Sequence, residues 1–80
     1  MTCREEILDC ANDIINHKKV NEFSILEILK CMKRKGTEYP DTTIRTHITS
    51  SMCVNAPANH AVRYADLERI DRALYKLLSG

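Results

Sequence analysis

Eighty residues, 44% of them hydrophobic and 29% charged, predict one small globular domain over 1–80 with a modest core. That balance excludes a disordered tail, and the length leaves no room for a second domain. Twelve Lys and Arg against eleven Asp and Glu give a formal charge of +1, so total charge alone makes no electrostatic case for nucleic acid.

Thr2 followed by Glu5 is a capping box, in which each residue satisfies an orphan backbone N–H of the other. The helix it starts is expected to run to about Lys18. Cys3, Ile7, Cys10, Ala11, Ile14 and Ile15 fall on one arc of that helix, and Glu5, Glu6, Asp9, Asn12, Asp13 and Asn16 on the other. Val20 to Phe23 is a break with β-prone ends that suits one very short strand. Ser24 and Glu27 form a second capping box ahead of the stripe Ile25, Ile28, Leu29 and Met32. Gly36 is placed to end that helix after Lys33, Arg34 and Lys35.

The connection from Gly36 to Pro40 is short, which makes the second and third helices spatial neighbours. The third helix is expected over about 42–52, entered through Pro40 and capped by Asp41 or Thr42. At about 100° per residue, Ile44, Ile48, Met52 and His47 share one side. Thr42, Thr46 and Thr49 point away from it, flanked by Thr43, Arg45 and Ser50. Threonine is a mediocre helix former because its β-branch restricts rotamers. So many hydroxyls suit a surface that approaches phosphates and base edges, or else a plain solvated face.

Cys53 to His60 contains Pro57 and two asparagines without periodicity and reads as a loop. Leu67 to Ile70 and Leu74 to Leu78 are expected as two strands joined through Asp71, Arg72 and Ala73. One helix over 65–78 is the competing reading, because Leu67, Ile70, Leu74 and Leu77 also fit a helical stripe.

Basic residues concentrate in the middle of the chain: residues 17–47 carry seven Lys and Arg against four Asp and Glu, while the first helix is acidic. The four cysteines, Cys3, Cys10, Cys31 and Cys53, show no C-x-x-C spacing. No signal peptide or membrane-length apolar run accompanies them. A reduced, cytoplasmic protein is expected, with the cysteines as small buried hydrophobes.

Three helices, a short strand and a C-terminal hairpin follow the order of a winged helix-turn-helix domain, mainly α with a small β-hairpin. Residues 21–77 resemble the small winged-helix domains of uncharacterised prokaryotic proteins, some of them attached to restriction-endonuclease-like or other DNA-processing domains. The likeness is carried by Thr43-Ile-Arg-Thr-His-Ile48, by Met52-Cys53 with Asn55-Ala-Pro57, and by Leu67-Glu-Arg-Ile-Asp-Arg-Ala-Leu-Tyr75. Such domains often have glycine in the hairpin turn; here Asp71 and Ala73 stand there.

The resemblance implies binding to double-stranded DNA, with the third helix in the major groove and the hairpin as a wing on the backbone. Arg45 is then the first candidate for a base contact, and Thr42, Thr43, Thr46, Thr49 and Ser50 for contacts to phosphates or bases. Lys33, Arg34, Lys35, Arg69 and Arg72 would lie over phosphates. Such a module acts in transcription regulation as a small regulator or as the targeting part of a larger protein with an attached effector domain. A homodimer through the arc of Cys3, Ile7, Cys10 and Ile14 is open, as is a winged helix that binds protein instead of DNA.

Neither a cofactor nor a metal is expected. His47, Cys53, His60 and Cys31 lack the paired spacing of a zinc site. Catalysis by Cys53 beside His47 or His60 finds little room for a substrate cleft in so small a fold, so no enzyme is expected. His47 is instead expected to bond a backbone carbonyl or a loop residue, and Tyr39, Tyr64 and Tyr75 to pack at core edges with wet hydroxyls.

Overall fold

In the computed structural model, which describes residues 2–54 and 64–78, both capping boxes close as the spacing requires. The Glu5 N–H donates to Thr2 Oγ1 (3.2 Å) and the Thr2 N–H to Glu5 Oε1 (2.9 Å), starting α1 (Cys3–Lys18). Lys19 ends it in the left-handed region, its N–H donating to the Ile15 carbonyl. Ser24 and Glu27 repeat the exchange at the start of α2 (Ile25–Arg34). Beyond α2, Gly36 adopts a φ of +80°; its N–H bonds Lys33 and the Thr37 N–H bonds Met32, the two closing bonds of a Schellman motif.

The third helix differs from expectation at both ends. Pro40, not Asp41 or Thr42, occupies the N-cap of α3 (Asp41–Thr46) and makes no side-chain cap. Its carbonyl accepts instead from the N–H groups of Thr43 and Ile44. From His47 to Ser51 the helix continues as a π turn, closed by the Met52 N–H on the His47 carbonyl. Ile44, Ile48 and Met52, spaced by four, are each at most 1% exposed. The wider π turn keeps that spacing closer to one line than 3.6 residues per turn does.

The hairpin reading of 65–78 holds, and the helical one is excluded. β2 (Leu67–Asp71) and β3 (Leu74–Leu77) pair antiparallel around a turn in which Ala73 has a φ of +55°. A bulge between Arg69 and Asp71 leaves Ile70 outside the register. The short strand β1 (Phe23–Ser24), centred later than Val20 to Phe23, adds to the other side of β3, so the sheet order is β1-β3-β2. Asn21 prolongs this pairing as a peptide group would: its Nδ2 donates to the Leu77 carbonyl and its Oδ1 accepts the Leu77 N–H. Most of the segment expected as a loop, including Pro57 and His60, lies outside the described residues. Its start at Cys53 and Val54, with Met52 before it, pairs with Asp66 and Leu67, including a parallel bridge from Cys53.

This is a mainly α fold, three helices with a C-terminal hairpin and a third strand, in the topology of a winged helix-turn-helix. The core gathers Ile7 and Cys10 of α1, Ile28, Leu29 and Met32 of α2, Ile44, Ile48 and Met52, and Phe23, Leu67 and Tyr75 of the sheet. Cys3, Ile7 and Cys10 are inside that core, which removes them as a dimer seam. Tyr75, expected at a wet edge, is 3% exposed because it stands opposite Phe23 in the sheet, with ring centroids 6.5 Å apart. Burial pushes its phenol pKa up, against the lowering effect of the Arg69 guanidinium.

Two of the four cysteines depart from the reduced state expected of them. Cys10 and Cys31 form a disulfide between α1 and α2, with Cα atoms 5.9 Å apart, while Cys3 and Cys53 are buried, as expected, and belong to no disulfide. The apolar stripes of the two helices face each other, and that packing brings together two cysteines that sequence spacing leaves unrelated. Among the described residues no helix is long and apolar enough to cross a membrane.

Candidate nucleic-acid interface

α3 turns Ile44, Ile48 and Met52 into the core and leaves Thr42, Arg45 and Thr46 exposed, with Thr43, Thr49 and Ser50 half-buried. The Thr46 hydroxyl donates to the Thr42 carbonyl and the Thr49 hydroxyl to the Arg45 carbonyl, both at 2.8 Å. This back-bonding uses hydroxyls that the sequence offers to a partner or to solvent, and it is a known competitor of the helix ladder. It precedes and overlaps the π turn. His47 Nδ1 lies 2.9 Å from the Thr43 carbonyl, the backbone contact expected for it. Thr42, Thr43, Thr46 and His47 border a shallow depression of about 240 Å³ on this helix.

The basic run at the end of α2 is divided. Lys33 lies 3.7 Å from Asp41, at the N-terminal end of α3, and both side chains are largely exposed. Lys35 turns the other way: its Nζ donates to Asp9 and Asp13 of α1, which holds the ammonium pKa above its ordinary value. Arg34 borders the same α1–α2 groove, together with Ile14 and Cys31. Lys33 therefore adjoins the candidate face, whereas Lys35 is engaged elsewhere. The acidic face of α1 is what draws Lys35 away, and only the packing of α1 on α2 reveals it.

On the hairpin, Arg69 and Arg72 are exposed. Arg69 is opposite Tyr75 in register, and its Nε donates to the Asp71 carbonyl at 3.2 Å. The Asp71 carboxylate accepts the Arg72 N–H at 2.7 Å, fixing the turn from which Arg72 projects. Glu68 and Lys76 pair across the strands at 3.3 Å.

One anchor was not anticipated from sequence. Arg4 forms a two-pronged ion pair with Asp66, just before β2, and its guanidinium lies 4.0 Å from the centroid of the Tyr64 ring. It ties the start of α1 to the root of the wing. An arginine in the first turn of a helix whose exposed face is otherwise acidic is the signal that could have pointed to it.

Among the described residues, no three His, Cys, Asp or Glu side chains are grouped to hold a metal ion. Compared with known proteins, residues 2–77 match the model of a family described as a domain of unknown function. No curated protein and no solved structure matches the chain.

Proposed function

We propose, for a chain that belongs to the family DUF7669, that it is a DNA-binding winged-helix module whose helix α3 reads the major groove. The observation that carries this reading is the exposed face of α3, where Arg45 stands among Thr42, Thr46 and Thr49 while Ile44, Ile48 and Met52 hold the opposite side in the core. A guanidinium can bond guanine O6 and N7 together. Lys33 beside α3 and Arg69 and Arg72 on the hairpin supply phosphate contacts, with the hairpin as the wing. Lys35 is left out of that set by its ion pairs to α1. As a winged helix resembling those joined to DNA-processing domains, it would serve as a small regulator or as the targeting part of a larger protein.

The net charge of +1 and the withdrawal of Lys35 favour a second reading, a winged helix that binds another protein through the same face. A salt titration of duplex DNA binding separates the two. With Lys33, Arg69 and Arg72 on phosphates, log K should fall against log salt with a slope of about −3. Arg45→Ala should weaken binding without changing thermal unfolding. Absence of binding at low salt, or binding with no salt slope, favours the protein-binding reading.

A further inference from the structure

We infer that Thr46 and Thr49 act on DNA as hydrogen-bond acceptors that recognise the exocyclic amino group of adenine or cytosine, and do not bind phosphates. This rests on the proposed role of α3. A carbonyl oxygen has no hydrogen to give, so the 2.8 Å contacts to the Thr42 and Arg45 carbonyls are made with the hydroxyl hydrogens themselves. What each hydroxyl keeps is its lone pairs. A phosphate diester offers only acceptors, and two acceptors cannot bond. In the major groove the donors are the amino groups on adenine N6 and cytosine N4.

The two threonines repeat one arrangement along the helix, each hydroxyl bonded to the carbonyl four residues before it. Turning either hydroxyl toward a phosphate would break that bond. Phosphate contacts therefore fall to the cations, and α3 divides its labour: Arg45 donates to a base edge while Thr46 and Thr49 accept from one. A segment of sequence that combines a guanine with a neighbouring adenine or cytosine on the contacted edges fits this pattern.

The test begins with selection of a preferred duplex from a random library by the full chain. Each adenine of that duplex is then replaced by purine, and each cytosine by 2-pyrimidinone, which remove only the amino group. At one or two positions, loss of the amino group should weaken wild-type binding about fivefold, the range of one neutral hydrogen bond. Sensitivity at an adenine or at a cytosine tells which base is read. Thr46→Val or Thr49→Val should abolish that sensitivity at its own position, and Thr46→Ser or Thr49→Ser should restore it, with circular dichroism confirming that all variants fold. If no position responds to loss of an amino group, or if the folded valine variants respond as the wild type does, the inference is overturned while DNA binding stands. If no duplex is bound at low salt, both the inference and the DNA reading fail.

Discussion

The Arg4 guanidinium donates two hydrogen bonds to the Asp66 carboxylate, at 2.7 and 3.0 Å, across 62 positions of the chain. Asp66 is a junction: its N–H donates to the Met52 carbonyl at the end of the π turn, and its carbonyl accepts the Leu78 N–H after β3. The pair thus couples α1 to both the helix and the hairpin of the candidate site. Arg4→Ala should lower the thermal midpoint, and Arg4→Lys should recover only part of the loss, because an ammonium cannot reproduce the planar fork. Full recovery by lysine, followed by circular dichroism, would show that charge alone matters there.

The disulfide between Cys10 and Cys31 closes a loop with a sequence separation of 21. Constraining the unfolded chain over such a loop contributes about 3 kcal/mol. The intact mass under non-reducing conditions should be lighter than the reduced chain by two hydrogens. Adding reductant, or the double change Cys10→Ser and Cys31→Ser, should lower stability to denaturant by roughly that amount. A mass that does not shift on reduction would contradict the bond.

Ala73 sits at a φ of +55° in the hairpin turn, where its Cβ crowds the backbone. Ala73→Gly should therefore raise stability by about 0.5–1 kcal/mol, after the greater freedom glycine has when unfolded. Gly36→Ala tests the same physics in reverse. A Cβ there meets nothing within 4 Å, so its cost, about 1 kcal/mol, would come from the φ of +80° alone. Equal denaturation midpoints for Ala73→Gly and wild type would rule out strain in the turn.

What was legible in the sequence follows how local the physics is. The capping boxes at Thr2 and Ser24, the stripe on α2 and the αL position of Gly36 each depend on residues within one or two turns, and all appear as read. Leu67, Ile70, Leu74 and Leu77 fit a helix and a hairpin equally well. The choice between them depends on the pairing of β3 with β1, which no short window contains. The pairing of Cys10 with Cys31, the capture of Lys35 by Asp9 and Asp13 and the reach of Arg4 to Asp66 are tertiary, and spacing carries no trace of them. At α3 the residues of the exposed face were legible. The direction in which Thr46 and Thr49 spend their hydrogens was not, because a hydroxyl's choice between backbone and partner is made by geometry.

Acidification should act through the capping boxes. Burial favours the protonated form of Glu27, yet the hydrogen bonds from the Ser24 N–H and Lys18 outweigh it, so its pKa lies below the ordinary value. The Thr2 N–H lowers that of Glu5 in the same way. Because the folded pKa is the lower one, the stabilisation is complete above the unfolded value of about 4.3 and is lost as pH falls through the folded value. Glu27→Gln keeps an acceptor for the Ser24 N–H and cannot titrate. Between neutral pH and about pH 3 its thermal midpoint should fall less than that of the wild type. An equal fall in both proteins would remove Glu27 as a source of acid sensitivity.

Amide chemical shifts recorded while duplex DNA is added at low salt test most directly whether α3 is the surface that meets DNA. Shifts should concentrate at Asp41 to Ser51 and at the hairpin turn around Arg72, and be small along the exposed face of α1. Shifts centred on the α1–α2 groove around Arg34 and Lys35, with α3 unmoved, would contradict it.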